Sequence, residues 1–224
     1  MTARTKLKDR ILPTYTKGEE IFNMVTHIVG GGFGVVALVA CVLIAALAGD
    51  TVGVVCSAIF GASMIVLYTA SSLYHGLRHE GAKKVFQILD HCTIYFLIAG
   101  TYTPMLLCSL VKVAPVAAML TLAAVWGLAI LATTLTAIDI KKYKVFSMIC
   151  YIGIGWAIIF SIKDMYAALT PVGFWLLLSG GIVYTVGAIL FKVGKHCKYF
   201  HSIFHIFVLA GSVLHTLCIT LYVL

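Results

Sequence analysis

Charge is scarce in this sequence: Asp, Glu, Lys and Arg make up 11% of its 224 residues, and only eight are acidic. A soluble domain, with about a quarter of its residues charged, could not be surfaced from so small a stock. Proline is rare, at four residues, so long stretches are free to stay helical. None of the seven cysteines forms a Cys-x-x-Cys pair. Cys41, Cys56, Cys92, Cys108, Cys150, Cys197 and Cys218 are scattered, most of them in apolar runs where a thiol behaves as a small hydrophobe. Neither a disulfide framework nor a thiolate metal site is expected. The first nineteen residues, MTARTKLKDRILPTYTKGE, contain no apolar core. No cleavable signal peptide is therefore expected, and the first apolar run reads as a retained signal anchor.

What the chain does have is apolar surface, at 62% hydrophobic residues and a mean hydropathy of +1.06. A spanning helix needs roughly 20 apolar residues. Seven segments qualify: Ile21–Leu47, Val52–Tyr74, Ile88–Val111, Pro115–Ala137, Val145–Ile162, Val172–Phe191 and Ser202–Leu224. The intervening loops are too short for a soluble domain. The expected architecture is all-α: a basic segment at 1–19, then one seven-helix transmembrane bundle at 20–224. The net charge of +8 suggests nucleic acid at first sight, but its placement speaks for membrane topology, and no nucleic-acid partner is expected. With the N-terminus in the cytoplasm, fourteen of the sixteen basic residues fall inside and only Lys112 and Lys163 outside. That bias predicts a cytoplasmic N-terminus and an outside C-terminus. GGGFG in the first helix and SGG in the sixth suit close helix packing. Pro104 predicts a kink in the third.

Ionisable groups inside membrane helices are costly and usually mark function. His75 ends the second helix, Asp90 starts the third, and His201 and His205 start the seventh. In this topology all four share one end of the bundle. His201 and His205 are a helical turn apart on one face, a spacing that can hold one zinc ion. His75 would be the third nitrogen ligand, and three protein ligands plus water is the usual catalytic zinc site. Asp90 could ligate, or accept a hydrogen bond from that water. Ser71, four residues before His75, could support a ligand or polarise a substrate carbonyl.

A plainer reading stands beside this one. A His-x-x-x-His pair at a membrane interface also serves for contacts to headgroups or backbone carbonyls, and Asp90 suits a helix first turn. Glu20, Asn23 and His27 fall on one face of the first helix. They read as a polar clamp to neighbouring helices, or as support for the metal ligands. His79 and His196 are expected in solvated loops. His91 points about 100° from Asp90. His215, about 15 Å along the helix from His205, suits a helix–helix hydrogen bond.

With these motifs in view, the sequence resembles the haemolysin III family, the bacterial branch of the PAQR superfamily that includes the adiponectin and progestin receptors. The likeness runs from about Glu19 to the C-terminus. It rests on EEIFNMVTH, on SSLYH followed by LDHCTIYFLIAGTYTP, and on HSIFH. The resemblance implies zinc held by His75, His201 and His205, with Asp90 beside the metal-bound water and Ser71 close by. It also implies a bacterial inner-membrane location and a role in lipid and fluidity homeostasis. Lacking a long N-terminal soluble region, the chain is not expected to bind a protein hormone.

The expected activity is zinc-dependent hydrolysis of a lipid amide or ester, ceramidase-like, with a membrane lipid as substrate. The alternative is a non-enzymatic lipid sensor or a cytolytic, pore-forming protein with structural zinc. A transporter is disfavoured, because no repeat is evident and the polar residues cluster at one end.

Overall fold

Capping chemistry sets where the helices begin. The Thr16 hydroxyl accepts from the Glu19 N–H at 3.3 Å, and the Glu19 carboxylate accepts from the Thr16 N–H at 2.8 Å. This reciprocal capping box starts the first helix. Asp50 accepts from the Gly53 N–H at 2.9 Å to start the second. Thr170, followed by Pro171 at the first helical position, starts the sixth.

The computed structural model describes residues 4–194 and 197–224. Among them are seven helices long and apolar enough to cross a membrane. They are α1 (Lys17–Leu47), α2 (Thr51–Gly76), α3 (Glu80–Lys112), α4 (Pro115–Ile138), α5 (Lys144–Ala168), α6 (Pro171–Val193) and α7 (Phe200–Val223). His196 and Lys195, read above as basic loop residues, lie outside the described residues.

The fold is the expected all-α bundle of a multi-pass membrane protein, with longer helices than hydropathy marks. α3 begins at Glu80, a full two turns before Ile88, because His79 caps it, its Nδ1 accepting the Ala82 N–H at 3.2 Å. The polar first turns are stitched by Glu80 to Lys84 at 2.6 Å. His79 is thus exposed, as expected, and also a cap. α5 runs on to Ala168 through a tighter 3-10 stretch at Ala157–Ser161. Directly after Pro104, α3 widens into π turns at Met105–Ser109 and then tightens at Leu110–Lys112.

Packing follows the chain and then closes on itself: α1 lies along α2 and also against α7, and α6 lies along α7. α3 is the centre, packed on α2, α4 and α5, with 72% of its apolar window buried against 17% for α6. Two glycines allow the α1–α2 approach. A Cβ on Gly61 would meet Leu38, and one on Gly30 the Tyr68 ring, each at 2.5 Å. The outer faces carry large exposed side chains such as Val116, Phe160 and Leu221. Such a coat suits hydrocarbon and would aggregate in water.

Short connections make successive spans antiparallel, so α1, α3, α5 and α7 all start where α2, α4 and α6 end. This common end holds most of the basic residues. The N-terminal segment crosses it. Thr5 N–H donates to Asp139 Oδ2 at 2.8 Å, Arg4 Nε to the Ile138 carbonyl at 3.0 Å, and Lys84 Nζ to the Lys8 carbonyl at 2.9 Å. Burial pushes the Asp139 carboxyl up, but N–H donors from Thr5, Lys142 and Lys141 outweigh it and hold the pKa at about 2.

Candidate metal centre

Three histidines meet at the basic end. His75 is the penultimate residue of α2, His201 the second of α7, and His205 lies one turn further along α7. The ε-nitrogens of His75 and His201 are 3.2 Å apart, and those of His201 and His205 are 3.1 Å apart. One ligand atom from each lies within 4.8 Å of the others.

His201 Nε2 therefore makes two short nitrogen contacts. A neutral imidazole nitrogen offers one lone pair or one N–H, which cannot satisfy both. A cation shared by three lone pairs would resolve the crowding. Tetrahedral zinc with bonds of ~2.0–2.1 Å sets its ligands ~3.3–3.4 Å apart, close to the spacing seen. An all-imidazole donor set suits zinc and leaves a fourth position for water or substrate.

The surrounding groups orient these ligands. Glu20 Oε2 lies 2.7 Å from His75 Nδ1. An ionised carboxylate only accepts, so the ring proton sits on Nδ1 and the Nε2 lone pair faces the cluster. Lys83 Nζ holds the other Glu20 oxygen at 2.7 Å. Asn23 Nδ2 is 3.5 Å from the same His75 nitrogen, and Asn23 is fully buried. His27 stacks on His205, with ring centroids 3.7 Å apart and planes at 15°. The face of α1 bearing Glu20, Asn23 and His27 thus reaches the histidines, and Glu20 bonds both the His75 ring and Lys83.

Ser71 is buried one turn before His75, and its hydroxyl has no partner. Asp90 lies ten residues into α3 and is not among the residues whose donor atoms converge. Its carboxylate is 3.8 Å from His91 Nδ1. His91 donates instead to the Gln87 carbonyl at 2.8 Å. His215 bonds the Leu177 carbonyl of α6 at 3.1 Å, as its depth suggested.

Sequence reading misses three contributors. Tyr15, just before α1, stacks on His201 at 5.0 Å and meets His75 edge-on at 5.7 Å. Burial pushes its phenol pKa up, and the charges of Asp90, Glu20 and Glu19 push it further, so the ring over the cluster stays neutral. Phe191 of α6 closes another side, 5.3 Å from His201. Glu19 Oε1 accepts the N–H of Tyr199 at 2.7 Å, tying the start of α1 to the start of α7. Tyr199 itself is left-handed at φ 63°. Only Glu19 had a local signal, the Thr-x-x-Glu capping box.

Comparison with known proteins agrees with this architecture. Residues 15–216 match the family described as Haemolysin-III related. The chain is 43% identical to Hemolysin-3 of Bacillus cereus, over 92% of each chain. It is 39% identical to a Hemolysin-3 homolog of Bacillus subtilis (strain 168), over 93% of this chain and 96% of that one. It is 26% identical to the Homo sapiens Monocyte to macrophage differentiation factor, over 99% of this chain and 91% of that one.

Proposed function

The chain belongs to the haemolysin-III-related family, and we propose that it is a zinc-dependent hydrolase of the amide or ester linkage of a membrane lipid. The observation that carries this reading is the convergence of three histidine ε-nitrogens at 3.1 and 3.2 Å, one of them oriented by a carboxylate. His75, His201 and His205 would hold the metal. When bound, zinc lowers the pKa of water towards about 7 and polarises a carbonyl.

The remaining chemistry falls to the chain. Glu20 keeps the proton on His75 Nδ1 and the lone pair on Nε2. Asp90 takes the proton of the attacking water and passes it to the leaving amine or alkoxide. Ser71, whose hydroxyl is uncommitted, donates to the substrate carbonyl. Tyr15 and Phe191 keep bulk water off the ligands. The proposal puts the protein in the bacterial inner membrane with this site on the cytoplasmic side and a lipid, rather than a protein hormone, as its partner.

The test is turnover of short-chain ceramide and phospholipid probes by the pure protein in liposomes. Asp90→Asn is expected to lose about 10²–10⁴-fold in rate while retaining zinc. Equal turnover in protein stripped of metal would sink the hydrolase reading. The name of the Bacillus cereus relative, a hemolysin, favours a second reading, a cytolytic protein. Leakage from the same liposomes without lipid cleavage would select it.

A further inference from the structure

The three-histidine cluster lies at the very end of the helices that carry it. α2 stops one residue after His75, at Gly76, and α7 begins one residue before His201, at Phe200. Neither helix extends far enough to cover the cluster on the basic side. The cover there is Tyr15, whose ring stacks on His201 at 5.0 Å and 20° and meets His75 edge-on at 5.7 Å. His27 of α1 and Phe191 of α6 close other sides. Of these three covers, only Tyr15 lies outside the membrane spans, two residues before α1 begins at Lys17.

The segment that carries Tyr15 is pinned at both ends and free between them. Its far end is held by Thr5 N–H on Asp139, by Arg4 Nε on the Ile138 carbonyl and by Lys84 Nζ on the Lys8 carbonyl. Its near end is fixed by the Thr16–Glu19 capping box and by the bond from Tyr199 N–H to Glu19. Among the described residues, Ile11, Leu12, Pro13 and Thr14 make no hydrogen bond to the bundle. Ile11 is 89% exposed, and the short 3-10 turn at Leu7–Asp9 buries no residue. The far pins join groups that water can also serve, so each adds little net stability. A strap held this way opens locally, long before the helices behind it come apart.

We infer that residues 4–16 form a strap that gates the three-histidine cluster, with the Tyr15 ring as its plug, and that a metal ion enters and leaves through the basic end when the strap lifts. The inference rests on the proposed metal centre and not on catalysis there. It holds whichever side of the membrane the basic end faces. A gate has a kinetic signature that a ligand support lacks. Zinc sits on the same three nitrogens whether the strap is open or closed, so the strap changes how fast the ion exchanges and not how tightly it is held. A side chain that oriented the ligands would change the affinity itself.

The test uses the detergent-purified full chain and follows, by stopped flow, zinc release into excess chelator and zinc uptake by the stripped protein. Asp139→Asn cuts a pin outside the cluster, and Tyr15→Ala removes the plug. Each is expected to speed both release and uptake about ten-fold or more while leaving the equilibrium affinity unchanged. Tyr15→Phe, which keeps the ring, is expected to restore the wild-type rates. The two sites of change are independent, so the test stands if one variant does not fold. Wild-type rates in either folded variant would overturn the gate. Faster release with unchanged uptake would also overturn it, because Tyr15 or Asp139 would then support the ligands instead. Zinc bound in the wild type with unmoved rates in the variants sinks the gate alone, whereas a wild type that binds no zinc sinks the metal centre and the gate with it.

Discussion

Glu20 decides which nitrogen of His75 faces the cluster, and its own geometry is fixed by Lys83 on the other oxygen. Outer carboxylates of this kind typically account for 10–100-fold in metal affinity. Glu20→Gln is therefore expected to bind zinc ~10–100-fold more weakly in a chain that still folds, measured by competition with a chelator. Unchanged affinity would show that Glu20 acts only as a clamp. The histidines themselves were legible in the sequence, because i, i+4 spacing and depth in the membrane follow from helical periodicity alone. Tyr15 was not legible. It reaches His201 through the path of the N-terminal segment, and no local pattern encodes that path.

At the level of the helices, hydropathy located all seven spans but placed some ends badly. It follows the oily middle and cannot see polar turns carried by capping, as at His79 and Glu80 in α3. Glycine in α1 was read as packing, and two of its positions behave differently. A Cβ at Gly30 would collide with the Tyr68 ring at 2.5 Å, while one at Gly32 has open space. Gly30→Ala is expected to destabilise by about 1–3 kcal/mol through overpacking. Gly32→Ala is expected to be neutral or to stabilise by about 0.5–1 kcal/mol through reduced backbone freedom. Thermal unfolding in one detergent compares the two, and equal shifts would contradict this division of roles.

For the molecule as a whole, the N-terminal segment is latched across the basic end by Asp139. Its folded pKa of about 2 lies below the ordinary 3.8. The carboxylate therefore stabilises the latch fully above about pH 4, and that stabilisation is lost as pH falls towards 2. A spin label at Lys8→Cys, in a Cys197→Ser background, is expected to be held at pH 7 and to become mobile on acidification through that window. Asp139→Asn is expected to free it at pH 7. A label equally held in Asp139→Asn would contradict the latch. Orientation has its own probe, since Cys197 is exposed and the other six cysteines are buried. A membrane-impermeant maleimide is expected to label Cys197 in inverted vesicles and to leave it unlabelled in intact cells. The reverse pattern would put the basic end outside.

The metal itself is tested most directly by elemental mass spectrometry of the detergent-purified protein beside its His201→Ala and His205→Ala variants. The expected result is about one zinc per chain in the wild type and none in either folded variant. A well-folded wild type that carries no zinc, even after zinc is supplied, would contradict the metal centre and return the three histidines to helix packing.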